Sequence, residues 1–321
     1  MDRTAVRPDR RTPALWALLA VVTAVVAGVL AGALAGTTLP TLLGTGITRA
    51  GADVAGVACV GLALVGALLP LSAPEANRVR RQADRALVAL GGTWLVLALL
   101  GIAFRAADGY GRPVTALTGR DVLVWATNLA AGRGALLTVA CAAAVLGCAI
   151  ARLRDPELVA VRIVLVIALL GMLTPGVTGH ASSSASHEVA VTTVALHVAA
   201  ASLWVGGLGA LIVLVGRRRE LLARALPRFS TLAAFCLVTV TVSGLLTAQV
   251  RLGSWAALFS TGYGALVIAK TGALVLLGLL GLLTRRRMAA GRMPVLRWAG
   301  IEVALMAITL GLAAALSQTS P

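Results

Sequence analysis

The stretch VAVTTVALHVAAASLWVGGLGALIVLV, residues 189–215, decides the fold class of this chain. Its one ionisable side chain is His197, and its other residues are apolar or small. An α-helix needs about 20 such residues to cross a hydrocarbon core of roughly 30 Å. Because a lone segment in lipid can pair all its backbone polar groups only as a helix, the stretch predicts a transmembrane helix.

Comparable apolar runs recur along the 321 residues, which are 59% apolar and 12% charged. The 35 glycines suit close contact between membrane helices. We therefore predict an all-α, polytopic membrane protein, with about nine transmembrane helices in one bundle and residues 1–321 forming a single helical membrane domain. The predicted spans are 14–36, 51–71, 86–104, 131–151, 158–178, 189–215, 229–250, 263–283 and 296–316.

The formal net charge of +16 comes mainly from arginines in alternate connections between the spans, at 3–11, 78–85, 152–162, 217–228 and 285–297. Basic residues in short loops mark the cytoplasmic side. The chain is therefore expected to have a cytoplasmic amino terminus and an extracytoplasmic carboxyl terminus. The clusters are explained by topology and by contact with anionic lipids, so we expect no nucleic-acid partner.

Several boundaries follow from local sequence. The first apolar run exceeds the 7–15 residues of a signal-peptide core, which predicts a retained helix. A short amphipathic helix is expected at the interface within 105–130. We expect residues 72–85 to form a basic linker and Pro227 to close a cytoplasmic loop, because proline interrupts helices.

The chain has three histidines, and all lie between positions 180 and 197. His180 follows the fifth predicted span, His187 precedes the sixth, and His197 lies about 12 Å inside the sixth at helical rise. Imidazole is a ligand for copper, zinc, nickel and iron. We predict that His180, His187 and His197 bind one metal ion on the outer side. The alternatives are ordinary interfacial histidines for the first two, and a structural hydrogen bond for His197.

Trp204, Gly206 and Gly207 follow His197 on the same predicted helix and could shape the site. Trp204 lies about 20° from the same helix face. It either walls a cavity below the imidazole or fills the core. Gly206 and Gly207 are expected to permit a close helix contact.

Other polar or soft side chains within the spans are candidates for a pocket or path. Lys270 and Glu302 either line a polar path or reach an interface with their long side chains. Their depths differ by roughly 10 Å, which argues against a direct salt bridge. Asp53 either supplies a carboxylate or marks a helix start, and Met172 is either a thioether ligand or a core residue.

The segment HVAAASLWVGGL, residues 197–208, resembles the helix signature of the bacterial copper resistance protein D (CopD) family. The resemblance continues in Arg228-Phe229-Ser230, Ser243-Gly244, Thr261-Gly262-Tyr263-Gly264 and Lys270. It is strongest over 177–316. The amino-terminal half is similar to the actinobacterial type, which is often fused to a cytochrome c oxidase assembly domain that these 321 residues do not contain.

The resemblance implies a multi-pass protein of the bacterial inner membrane that handles copper, usually by uptake from the periplasmic side. It implies a copper ion, of unspecified oxidation state, for the histidine cluster. It further implies lipids, a periplasmic copper chaperone or cytochrome c oxidase assembly proteins as partners. We expect no enzyme, since no nucleophile–base arrangement accompanies the histidines. The alternatives are a haem-binding electron-transfer protein and a copper oxidase assembly factor that transports nothing.

Overall fold

The protein is helical in nearly every residue that the computed structural model describes, which are 12–30, 39–69, 74–177, 187–252, 257–289 and 295–316. A single 3₁₀ turn within these ranges covers Val114–Ala116. The helices are α1 (Thr12–Leu30), α2 (Leu39–Leu68), α3 (Pro74–Tyr110), α4 (Gly119–Asn128), α5 (Ala130–Arg154), α6 (Val161–Val177), α7 (His187–Val215), α8 (Arg219–Leu252), α9 (Ala257–Ser260), α10 (Gly262–Ala289) and α11 (Val295–Leu316).

The long helices confirm the predicted fold class, an all-α polytopic membrane protein. Each of the nine predicted spans coincides with one described helix: α1, α2, α3, α5, α6, α7, α8, α10 and α11. Seven of these are long and apolar enough to cross a membrane. The other two contain shorter apolar stretches, Val161–Thr174 in α6 and Gly300–Ala315 in α11.

Two expectations for the cytoplasmic side are wrong. Most of the predicted linker 72–85 is helical, because α3 begins at Pro74. Proline is favoured in the first turn of a helix, where its missing N–H has no helical partner. Pro227 lies inside α8, which begins at Arg219, and does not close a loop. Charged turns extend these two helices beyond their apolar parts, and a hydropathy pattern does not register such turns.

The outer end of α2 also departs from the prediction. The helix begins at Leu39, twelve residues before the predicted start at 51. Thr45, Thr48 and Arg49 lie in this added part, and their polarity excluded it from the apolar span, whereas Asp53 lies just inside the predicted span. Thr45, Arg49 and Asp53 follow one another at four-residue spacing, which puts them on one side of the helix.

The short helix expected within 105–130 is present as α4. Thr118 caps its amino terminus through a reciprocal capping box with Asp121, whose side chain accepts a 2.9 Å hydrogen bond from the Thr118 backbone N–H. This backbone N–H, with help from the Thr118 hydroxyl, holds the pKa of Asp121 below its ordinary value. Trp125 is buried against Ile102 and Ala106 of α3, which fixes α4 on the bundle.

The helix α2 lies at the centre of the bundle. It packs against α3 on one side and α7 on another, and also contacts α1 and α6. The remaining helices extend this core, with α5 between α3 and α6, α8 beside α7, and α11 between α1 and α10. The two halves of the chain therefore meet where α2 packs against α7 and where α1 packs against α11.

Basic side chains at the predicted cytoplasmic end pair with buried groups. Arg152 of α5 donates two hydrogen bonds to Asp84 of α3, at 2.8 and 3.3 Å, and both side chains are buried. Arg80 donates to the carbonyl of Leu69, and Arg228 donates to the carbonyl of Leu68. These guanidinium groups satisfy carbonyls that the end of α2 leaves without helical partners.

Candidate functional site

The imidazole of His197 is held against α8 by polar contacts with Ser243 and with the backbone of Val240. Its Nδ1 lies 2.9 Å from the Oγ of Ser243, a buried residue of α8. The same hydroxyl donates to the carbonyl of Thr239, so its hydrogen is already used. With that hydrogen given to Thr239, the Nδ1–H tautomer of His197 donates to Ser243, and Nε2 carries the lone pair that can bind a metal ion.

The position of the ring is also restricted by Gly244, the residue after Ser243. A Cβ at Gly244 would lie 3.5 Å from the Cε1 of His197, in ordinary van der Waals contact. The Nδ1 edge of the imidazole therefore rests on the backbone of α8. Such a second contact orients a histidine in the way that metal-binding histidines are usually oriented.

Among the described residues, the charge of Lys270 of α10 acts on this imidazole. It is half-buried, eight residues after the start of α10. We call these three residues the His197 cluster: His197 and Ser243 are in contact, and the charge of Lys270 on α10 acts on the imidazole. In the predicted orientation the cluster lies in the outer half of the membrane.

The other two histidines do not join the His197 cluster in the described part of the chain. His180 lies outside the described residues. His187 was expected to precede the sixth span, but it is the first residue of α7, and its side chain is not described. Ten helical positions separate it from His197, which is about 15 Å along the axis.

That separation bears directly on the predicted three-histidine site. Two nitrogen ligands of one ion each lie about 2 Å from it, so His187 and His197 cannot share an ion while α7 is a continuous helix. Across the described residues, no three His, Cys, Asp or Glu side chains are grouped closely enough to hold a metal ion. His197 is therefore the one predicted histidine whose surroundings are defined.

The glycine contact predicted after His197 is confirmed. A Cβ at Gly206 would clash with the backbone carbonyl of Val57 and lie 3.0 Å from the nitrogen of Gly61 in α2. A Cβ at Gly207 would lie 2.6 Å from a ring carbon of Phe229 in α8. Trp204 is buried within the same hydrophobic core, which favours its reading as a core residue.

The two buried charges of the second half lie at different depths, as expected. Glu302 is buried in α11, and one of its carboxylate oxygens lies 3.3 Å from the Cβ position of Gly281 in α10. Gly281 follows Lys270 by eleven helical positions, about 16 Å along α10. No ion pair joins Lys270 to Glu302 among the described residues, whose three ion pairs are Arg49–Asp53, Arg152–Asp84 and Arg218–Glu75.

Asp53 and Met172 lie in a separate cleft. Asp53 accepts a 3.0 Å hydrogen bond from Arg49, four residues before it. Met172 of α6 is buried beside Trp94 and the backbone of Gly56. Both residues line a cleft between α2, α3, α5 and α6, whereas His197 contacts α8. Sequence reasoning missed the arginines of this cleft and the role of Ser243. The four-residue spacing of Arg49 and Asp53 was a signal for the first, whereas the contact of Ser243 with His197 joins two helices and had none.

Comparison with known proteins identifies two matching family models in succession. The model described as "Copper resistance protein D-like, N-terminal domain" matches residues 39–188, which include α2 to α6. The model described as "Copper resistance protein D" matches residues 223–316, which include most of α8 and the helices after it. Most of α7, with His197, lies between the two matches.

A copper transport protein of Bacillus subtilis (strain 168), CutJ, is 33% identical to this chain over 148 residues. The match covers 42% of this chain and 27% of CutJ, so the chain corresponds to about a quarter of that protein's length. No solved structure matches the chain. The resemblance seen in the residues after His197 is thus confirmed by models of the same family on both sides of α7, and the chain belongs to the copper resistance protein D family, with a copper-related function in a membrane.

Proposed function

We propose that this protein moves copper across the bacterial inner membrane from the extracytoplasmic side, with Nε2 of His197 as a ligand for the ion. The observation that carries the proposal is the hydrogen bond from His197 to Ser243 inside the bundle. Ionisable residues within transmembrane helices usually face a cavity or a partner and mark a functional path. The copper-related family and the copper transport protein CutJ favour copper as the cargo.

The spacing of the histidines supports stepwise handling of the ion. His187 is at the first turn of α7, about 15 Å outward of His197 along the helix. Copper would first meet His180 and His187 at the outer mouth and would then pass to His197. This stepwise path has two successive sites in place of the single three-histidine site, and each ion would exchange its ligands as it moves from one site to the other.

Lys270 gives the inner site a means of release. A protonated ammonium group near the imidazole repels a copper ion there, and the repulsion is strong where water is scarce. Copper at His197 and a proton on Lys270 would therefore oppose each other. Removing this charge in Lys270→Gln is expected to tighten copper binding, and weaker or equal binding would contradict the release role.

The inner half of the proposed path includes Glu302. It is a buried carboxylate on α11 in the half of the membrane opposite to the His197 cluster. A carboxylate at this depth could accept the cation after Lys270 repels it. We propose no enzymatic step, and we propose a copper chaperone on the outer side and cytochrome c oxidase assembly proteins as the partners that supply or receive the ion.

The first test is copper binding to the purified chain. His197→Ala should weaken binding at the inner site strongly, and Ser243→Ala should weaken it by roughly 10–100-fold, the usual cost of losing a residue that orients a metal ligand. Leu196→Ala is the matched control, since this neighbouring residue is 54% exposed on the lipid side. Unchanged affinity in His197→Ala would remove this residue from the site.

The second test is copper flux into proteoliposomes, which separates transport from the alternatives. Flux that is lost in His197→Ala supports a transporter. Copper binding without flux would instead favour an assembly factor. A haem Soret band in the purified protein would favour electron transfer, but His187 and His197 lie on one helix and cannot occupy opposite faces of one haem iron.

A further inference from the structure

The cleft between α2, α3, α5 and α6 contains more positive than negative charge. Its charged residues are Arg49 and Asp53 of α2 and Arg105 of α3. In the predicted orientation, α2 and α5 begin and α3 and α6 end on the outer side, so the cleft opens in the outer half of the membrane. Its cavity volume is about 30 Å³, and the cleft is partly open to its surroundings. We call it the outer cleft.

One arginine charge in the outer cleft has no carboxylate of its own among the described residues. Arg49 pairs with Asp53 at 3.0 Å through its Nε. The half-buried Arg105 uses its Nε to donate to the carbonyl of Gly101, at 3.2 Å. The charges that act on Arg105 are those of Arg49 and Asp53, which cancel each other in part. A cation in such surroundings is normally paired.

The outer cleft also contains hydrogen-bond donors without acceptors. The hydrogen bonds of Arg49 and Arg105 within the described part of the chain use only their Nε groups, which leaves the terminal amino groups of both guanidinium groups available. The hydroxyl of Thr45 is buried and has no partner in the described part of the chain. Its neighbour Thr48 is satisfied, because it donates to the carbonyl of Gly44 at 2.7 Å.

An excess of both positive charge and donors is the signature of an anion site. Guanidinium groups present paired N–H donors that match two oxygens of one oxyanion, and a hydroxyl can add a third hydrogen bond. We propose that the outer cleft binds one phosphate group between Arg49, Arg105 and Thr45. The phosphate is either that of an outer-leaflet phospholipid or inorganic phosphate. This proposal stands apart from the copper function, since none of these residues belongs to the His197 cluster.

One carboxylate could compete with such an anion. Glu188 is at the outer end of α7, and its side chain is outside the described set. If Glu188 neutralised Arg105, the native protein would not bind phosphate and Glu188→Gln would create a site. If the proposal is correct, the native protein binds phosphate and Glu188→Gln leaves the affinity unchanged.

The experiment uses the full chain, purified in phosphate-free detergent and freed of lipid. Inorganic phosphate and phosphatidylglycerol are titrated separately, and native mass spectrometry counts the molecules bound. One molecule per chain is expected, with affinity about tenfold lower in Arg105→Gln, since a hydrogen bond to a charged group is worth at least that factor. Arg120→Gln, an exposed arginine on the same side, is the matched control and should bind like the native chain.

The outcomes separate the two sources of phosphate. Binding of inorganic phosphate identifies a soluble anion, and binding of phosphatidylglycerol alone identifies a lipid headgroup. Should Arg105→Gln fail to fold, Thr45→Val keeps the side-chain shape and removes the unpaired hydroxyl, and it should also weaken binding. If neither probe binds the native chain more tightly than it binds Arg105→Gln or Thr45→Val, the proposal is wrong.

Discussion

Replacing Gly206 with alanine tests the contact between α2 and α7, one of the two main contacts between the halves of the bundle. The added methyl group would meet the carbonyl of Val57 and lie 3.0 Å from the nitrogen of Gly61. Both are backbone atoms, so no side chain can rotate away. Carbon atoms in contact are normally about 3.5–4.0 Å apart, and α7 would therefore have to move away from α2 by roughly 1 Å.

The expected magnitude follows from two opposing effects. Overpacking of a close contact typically costs about 1–3 kcal/mol, whereas Gly→Ala inside a helix gains about 0.5–1 kcal/mol. Gly206→Ala should lower the free energy of unfolding by about 1–2 kcal/mol. Gly209→Ala is the control, since nothing lies within 4 Å of its Cβ position, and it should be neutral or stabilising.

The assay is unfolding in mild detergent, followed for both variants under the same conditions. Gly61→Ala supplies the reciprocal test from α2, because its Cβ would lie 2.8 Å from the Cα of Gly206. Its control is Gly92→Ala, which also has an open Cβ position. If Gly206→Ala and Gly209→Ala were equally stable, α2 and α7 could not be in backbone contact and the reasoning would fail.

Two further predictions concern the ends of the bundle. Asp84→Asn leaves Arg152 buried without its carboxylate and should destabilise the protein by about 3–5 kcal/mol, measured by the same unfolding assay. A loss of stability below about 1 kcal/mol, as for a solvent-exposed ion pair, would show that the pair is hydrated. Thr118→Ala removes the cap of α4 and should cost about 1 kcal/mol. Because the pKa of Asp121 is lowered in the folded state, its contribution is complete above its ordinary pKa and is lost as the pH falls through the lowered one. The stability difference between the native chain and Asp121→Asn should therefore vanish in acid, and a constant difference at all pH values would contradict this.

The sequence predicted the membrane-spanning core because apolar runs of sufficient length have one solution in lipid. It failed where helices continue through polar residues. The charged first turns of α3 and the turns around Pro227 in α8 are helical although their residues are charged or interrupt helices. Their hydropathy resembles that of a loop.

The candidate site was predictable only in part. His197 stood out as an ionisable residue in an apolar helix, and its depth followed from helical rise. Its partner Ser243 is 46 residues away on α8, and only the packing of α7 against α8 reveals that contact. Asp53 was visible as a carboxylate four residues after Arg49 on one helix, but the position of Arg105 beside this pair required the contact between α2 and α3.

X-ray absorption at the copper edge of the loaded, purified protein tests the central claim most directly. Imidazole scattering from the bound ion is predicted for the native chain, with loss of the inner-site contribution in His197→Ala and its retention in Leu196→Ala. Identical spectra for the native chain and His197→Ala, or a shell of sulfur atoms alone, would contradict the assignment of His197 as the copper ligand inside the membrane.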